Sequence, residues 1–275
     1  MPQDNMGYKV VALSEEDLAK LYEGRLKLDN LDENEYVLIT DMNGDIVDKF
    51  CFQNNKLRKV EYKTIENSFI GRIKPKNVEQ EFAIDLLQDK DIKVKIVRGV
   101  AGSGKDYLML SQALSLIEKN IFDKIIYIRP NVTVKDVPDI GYLPNGVNEK
   151  LSWTLGPLYD KVGGEEGVNS LIRMNTLEMV PLLFLRGRSF EHSIIYVSEG
   201  QNITTEIAKL IISRIGEGSE LWLNADNNQS DKDIFDKDNG VKRMVNKLSG
   251  NRLFGSIYMN ECLRSETAKL SSLLD

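Results

Sequence analysis

Residues Gly99-Val100-Ala101-Gly102-Ser103-Gly104-Lys105 have the types and spacing to hold a polyphosphate. Glycines at 99, 102 and 104 let backbone N–H groups turn inward around phosphate oxygens, and Val100, Ala101 and Ser103 complete that cradle. Lys105 offers a point charge to the β- and γ-phosphates. An apolar-rich run, Ile92 to Arg98, precedes the loop and reads as a strand, while Tyr107 to Lys119 follows it and reads as a helix. Strand, glycine loop, lysine and helix is the context a phosphate-binding P-loop requires. The helix N-terminus adds partial positive charge at the same place. Position 106 departs from the pattern: it is Asp where Ser or Thr is expected.

Two further strands end in polar groups that suit this loop. Ile194-Ile195-Tyr196-Val197 runs into Ser198-Glu199-Gly200-Gln201. A carboxylate at that tip orients an attacking water, the role suited to Glu199. Ser198 occupies the place of a metal-binding Asp. Asp106 and Ser198 are therefore candidate Mg²⁺ ligands with their usual places exchanged: carboxylate on the loop, hydroxyl on the facing strand. Glu220-Leu221-Trp222-Leu223 ends near Asp226 and Gln229, which suit sensing of the γ-phosphate. Gln80, on the helix ahead of the loop strand, offers a donor and an acceptor to an adenine edge. Arg186 and Arg188 are the favoured cations for transition-state charge, supplied across a subunit interface, with Arg214 a further candidate and Arg264 the fallback as a contact within one subunit.

The elements that position these groups alternate. Strands are expected at 92–98, 124–129, 178–185, 193–198, 219–224 and 256–259. Helices are expected at 105–119, 148–162, 203–214, 240–248 and 265–274. Near-continuous apolar strands imply a mostly parallel sheet flanked by helices, an α/β P-loop fold. Ahead of it, Tyr36–Thr40 and Ile46–Phe52 flank an Asn43-Gly44 turn, a β-hairpin signal. The expected division is a small β-rich unit over 1–70 and the α/β domain over 71–275.

Composition narrows the classes. The chain has 275 residues, 41% hydrophobic and 28% charged, which reads as soluble and globular. It has one histidine, so a multi-histidine metal site and a Ser-His-Asp hydrolase are both excluded as leading readings. Two cysteines and a polar N-terminus point to reduced thiols, a cytoplasmic location and no membrane partner. The net charge of −6 argues against a nucleic-acid binder charged over its whole surface. Charge is nonetheless segregated: residues 14–48 hold eleven acidic and three basic residues, and 54–76 hold seven basic and two acidic. The basic stretch suits either a phosphate backbone or a solvated face.

Taken together, several motifs resemble the PhoH-like ATPase family, a helicase-related branch of P-loop proteins. They are GVAGSGKD, IRP at 128–130, GYLPNGVNEK at 141–150, GPLYD at 156–160, RGRSF followed by a strand and EGQN, and SRIGEGSELWLNADNNQ at 213–229. The resemblance spans roughly residues 75–270. It implies ATP binding and hydrolysis with Mg²⁺, a homo-oligomeric ring with a hexamer as one option, and RNA or single-stranded nucleic acid as partner. It assigns Lys105 to phosphate, Glu199 to water activation, Asp226 and Gln229 to sensing, and Gln80 to adenine. Residues 8–70 resemble the segment that joins a PIN nuclease domain to the ATPase in longer relatives, and no PIN carboxylate cluster is expected ahead of residue 14. Asp106, Ser198 and Ala225 (for Gly) depart from the family pattern. The alternative readings are a nucleotide-binding module with slow or no hydrolysis, and a small-molecule phosphotransferase.

Overall fold

A computed structural model of the chain describes residues 6–130, 156–226 and 237–263. Its centre is a six-stranded, all-parallel sheet. The strands are β7 (Val94–Gly99), β8 (Lys124–Ile128), β9 (Leu177–Met179), β10 (Ser193–Val197), β11 (Glu220–Ala225) and β12 (Phe254–Met259). Their order across the sheet is β12-β7-β11-β10-β8-β9. β7 and β10 are buried along their whole length, as a sheet covered on both faces requires. Helices α2 (Val78–Gln88) and α3 (Lys105–Glu118) cover one face, where Phe82, Leu108, Met109 and Leu114 meet Val97, Tyr127, Tyr196 and Trp222. Helices α6 (Thr205–Ile212) and α7 (Gly240–Leu248) cover the other, where Ala208, Ile211, Met244 and Val245 meet Ile96, Val197 and Leu223. Two short helices, α4 (Gly156–Tyr159) and α5 (Gly164–Arg173), close the α3 side through Leu158, Val162 and Val168. No described helix is long and apolar enough to cross a membrane.

Most expected elements lie within a few residues of those formed. One differs. The run expected as a strand over 178–185 is a strand only over Leu177–Met179. A single 3₁₀ turn follows over Leu182–Phe184, with Leu183 and Phe184 exposed. Pro181 lacks the N–H that a ladder needs, so pairing stops ahead of it. The expected helix over 148–162 is described only from 156, and that over 265–274 lies outside the described residues.

The N-terminal region forms strands β1 (Tyr8–Ala12), β2 (Glu35–Thr40), β3 (Ile46–Gln53) and β4 (Lys56–Lys59), with helix α1 (Glu15–Tyr22) between the first two. β2 and β3 make the expected hairpin, and β1 pairs with β2 in parallel. β5 (Ile65–Asn67) and β6 (Gly71–Ile73) form a second hairpin, which spans residue 70. The four-stranded sheet is bound tightly to the larger one. The Tyr258 N–H donates to Met6 O (2.8 Å), and the Tyr36 N–H to Gly7 O (2.9 Å). Residues 6–7 thus stitch the edge of β12 to β2. Gly7 has φ +77°, and a Cβ there would lie 1.8 Å from Ser256 O, so only glycine lets the two sheets approach.

A charged cluster holds the same joint. Asp85, on α2 and nearly fully buried, accepts two bonds from the Arg58 guanidinium (2.9 and 2.8 Å) and one from Tyr36 OH (2.7 Å). Replacing Asp85 with Ala takes the carboxylate from the buried Tyr36 phenol and leaves Arg58 only its bonds to Gln53 Oε1 and Lys59 O and the longer pair with Asp89. Because Arg58 is partly exposed, the expected loss of stability is about 2 kcal/mol, below that of a fully buried pair. Chemical denaturation read by Trp fluorescence checks this, and an unchanged midpoint would remove the cluster from the joint.

Candidate nucleotide-binding site

The loop expected to hold phosphate is built as its sequence dictates. Gly99, Gly102 and Gly104 have φ of +150°, +78° and +90°. A Cβ on Gly99 would lie 2.1 Å from Met259 O, so the loop leaves β7 pressed against β12 in a way no other residue allows. Helices α1, α2, α6 and α7 are capped by the side chains of Ser14, Asn77, Thr204 and Asn239. α3 begins at Gly104, which leaves its first N–H groups without a side-chain cap. Ser103 Oγ is buried in the loop with no hydrogen-bond partner. An uncapped helix start and a buried unpaired hydroxyl in one glycine loop fit an anionic ligand.

Lys105 curls back over this loop. Its Nζ donates to Gly99 O (2.7 Å) and Val100 O (2.8 Å) and lies 3.9 Å from Asp226 Oδ2. Around it the tips of β10 and β11 make a closed polar ring. The Asp226 N–H donates to Gln201 Oε1 (3.0 Å), and Gln201 Nε2 donates to Glu199 Oε2 (2.6 Å). The Glu199 N–H donates to Asn224 Oδ1 (3.0 Å), and Asn224 Nδ2 donates to the carboxylate of Asp106. Tyr196 OH also donates to Asp106 Oδ1 (2.8 Å). Burial first, and then the Asp106 charge, raise the Tyr196 phenol well above its ordinary value, so it stays a donor. Asp106 lies at the start of α3, next to Lys105, so the ring closes on the loop.

Strand order produces this ring. β11 lies between β7 and β10, so its tip falls between the loop and Glu199. Along β10 and β11, Tyr196 and Trp222 face α3 while Val197 and Leu223 face away; period-two alternation then turns Asn224 and Ser198 toward α3 as well. Glu199 has φ +57°, an uncommon conformation for glutamate that fixes its side chain at the strand end. Its carboxylate is also 3.7 Å from Arg129 Nη2, at the tip of β8. Arg129, Gln201 and Asn224 belong to the site although sequence reasoning gave them no role. The available signals were an Asn interrupting an apolar strand, and polar residues just past two strand ends.

Other expected residues are placed as follows. Gln80 lies against the loop with its amide engaged: Nε2 donates to Ser103 O (3.0 Å) and Oε1 accepts from the Lys76 N–H (2.8 Å). One N–H and one lone pair are left for an adenine edge. Arg186 and Arg188 are not brought to the loop. Arg188 pairs with Glu178 on β9 (2.6 Å) and stacks on Phe190 (4.6 Å). β9 is four strands from β7 across the sheet, about 19 Å at ordinary strand spacing. Arg188 therefore does not reach its own subunit's loop; the expectation for Arg186 and Arg188 concerns a neighbouring subunit's loop. Gln229 and Arg264 lie outside the described residues.

Asp106 and Ser198, the exchanged metal pair, already have neighbours of their own. Asp106 Oδ1 already accepts from Tyr196 and Asn224, and Lys161 Nζ lies 3.6 Å from its Oδ2. Among the described residues no group of three or more His, Cys, Asp or Glu could hold a metal ion. Ser198 Oγ is buried beside Tyr127, and the carboxylate that would complete the pair already accepts from two donors and faces the Lys161 ammonium. The residues present do not fit Mg²⁺ in the exchanged arrangement.

Sequence comparison decides the family. The profile described as "PhoH-like protein" matches residues 72–271. The chain belongs to the PhoH-like family. Protein PhoH2 of Bacillus subtilis is 29% identical over 283 residues, covering 97% of this chain and 63% of the relative. Protein PhoH2 of Thermobispora bispora is 33% identical over 202 residues, covering 72% and 46%. The PhoH-like protein of Mycobacterium tuberculosis is 32% identical over 162 residues, covering 58% and 45%. The chain thus spans roughly half to just under two thirds of the length of these relatives. Among solved structures, Pif1 helicase from Candida albicans aligns with a TM-score of 0.39 at 14% identity, covering 74% of this chain and 44% of that one. The PhoH-like match contains every element of the polar ring, from the loop at 99–105 to Asp226. The N-terminal sheet precedes it.

Proposed function

We propose that this PhoH-like chain binds ATP at the Gly99–Lys105 loop and hydrolyses it. The observation that carries the reading is the loop itself: an uncapped helix start, a buried unpaired Ser103 hydroxyl and Lys105 gathered at one strand tip. In this reading Lys105 leaves the carbonyls of Gly99 and Val100 to meet the β- and γ-phosphates. Glu199 receives a proton from the attacking water, held in place by Gln201 and Arg129. Asp226, close to both Lys105 and Gln201, reports on the terminal phosphate. A phosphate-release assay with ATP tests the activity, and absence of release overturns it.

A second reading is a nucleotide-binding module with slow or no hydrolysis, favoured by the crowding of Asp106 by two donors and the Lys161 ammonium. Binding measured without phosphate release would establish it.

The active form in our proposal is a ring-shaped homo-oligomer in the cytoplasm that supplies Arg186 or Arg188 to a neighbour's loop. Support comes from their distance to their own loop and from the exposed Leu183 and Phe184 just before them, apolar side chains suited to a subunit contact. Mixing Lys105→Ala with Arg188→Ala protein, each inactive alone, is expected to restore part of the activity in mixed assemblies. Mixtures as dead as either parent, or a fully active monomer by light scattering, would end this proposal.

Single-stranded nucleic acid, RNA first, is the partner class we assign. Lys56, Lys63, Arg72, Lys74 and Lys76 are exposed, whereas Arg58 is engaged with Asp85, and Lys59 with Asp48. Titrating the ATPase rate with RNA and with single-stranded DNA tests it; a flat response to both would remove nucleic acid from the reading.

A further inference from the structure

Asp106 has a further neighbour beyond Tyr196 and Asn224. The third group on its carboxylate is a cation that the chain itself delivers, Lys161. Lys161 lies in the turn between α4 and α5, and that turn is firmly built. Leu158 and Val162 on either side are buried in the core cluster that also holds Leu108 and Tyr196. The N–H groups of Lys161 and Val162 both donate to Leu158 O (2.9 and 3.1 Å). A Cβ on Gly167 would lie 1.6 Å from Val162 O, so α5 packs directly on the turn. The Lys161 side chain is about one-fifth exposed. It emerges from a fixed backbone onto the carboxylate that follows the phosphate lysine. Asp106 is in turn fixed by Tyr196 and Asn224, so both members of the pair have set positions.

We propose that the Lys161 ammonium, held by Asp106, adds one positive charge at this loop in the place where a divalent metal would otherwise act. ATP then binds this chain in its metal-free form. This inference rests on the reading that the loop binds ATP. A fully ionised triphosphate needs compensating charge beyond Lys105. A neutral Ser or Thr at position 106 could not hold a lysine, but Asp106 can. Ser198, a hydroxyl where a carboxylate would attract a metal, fits the same logic: the strand facing Asp106 adds no negative charge.

The test is calorimetric titration of the chain with ATP, once in excess EDTA and once in Mg²⁺. The affinity of the unmodified protein is expected to differ by less than about threefold between the two conditions, because the ammonium already stands where the metal would act. Lys161→Ala is expected to weaken binding in EDTA about tenfold more than in Mg²⁺. Lys161→Arg, which keeps the charge, should remain indifferent to metal. A tenfold or greater loss in EDTA for the unmodified protein overturns the proposal, as does a Lys161→Ala loss equal in both conditions. A thermal melt confirms that each variant is folded. Absence of ATP binding in either condition overturns the loop reading itself, and is thereby distinguished from failure of the Lys161 assignment.

Discussion

Glu199→Gln is expected to lower ATP hydrolysis about 100-fold or more while ATP still binds. The substitution keeps the size and removes the charge, so a change in rate reports on proton acceptance rather than shape. The environment supports this use. Gln201 Nε2 donates to one carboxylate oxygen at 2.6 Å, and Arg129 lies 3.7 Å from the other. Those groups orient the side chain without replacing its function as a base. The backbone at 199 is in the left-handed region, which costs on the order of 1 kcal/mol for a residue with a Cβ. Such a cost is tolerated where the surrounding structure determines the conformation, here through the Asn224 bond to the Glu199 N–H. Gln at 199 still accepts from Gln201 and keeps that geometry. Single-turnover phosphate release, with ATP binding measured in parallel, checks the outcome. Undiminished turnover would move the base elsewhere.

Lys105→Ala is expected to weaken ATP binding by about 2–5 kcal/mol, the range for truncating one partner of a buried charged contact. The side chain is only 10% exposed and already makes two hydrogen bonds to loop carbonyls. Exchanging those carbonyls for phosphate oxygens replaces neutral acceptors with charged ones, and charge-assisted bonds are roughly twice as strong. Nothing else in the loop is cationic, since Val100, Ala101 and Ser103 are neutral and Asp106 is acidic. Removing Lys105 also takes away the ammonium that lies 3.9 Å from the Asp226 carboxylate. Calorimetry with ATP reads the effect, and unchanged affinity would sink the loop as the binding site.

The phosphate loop was legible in the sequence because its chemistry is local. Seven consecutive residues carry it, and the glycine positions follow from backbone sterics that act within one or two residues. Strand and helix types were legible for the same reason: apolar runs bounded by Asn, Gly and Pro are short-range signals. Glu199 and Asp226 were legible as carboxylates at strand ends. The 178–185 run misled because apolar content outweighed the single Pro181 that interrupts it. β1 escaped notice because it is a largely exposed edge strand whose adjacent Val10 and Val11 give no period-two alternation. Its parallel pairing with β2, across an intervening helix, is a long-range event.

The sequence by itself determined the phosphate loop, the α/β alternation and the polar strand tips, since each rests on contacts within a few residues. Only the tertiary structure decided which polar groups meet. Asp106 finds Tyr196 at 90 residues' separation and Asn224 at 118, because β11 is inserted between β7 and β10. The same strand order puts Arg188 on the far edge of the sheet, and the packing of the α4–α5 turn brings Lys161 to Asp106. Nothing in the residue types at those positions encodes a distance. Strand order is set by burying two helix layers on one twisted sheet, a global packing solution, and the partners of each charge follow from it.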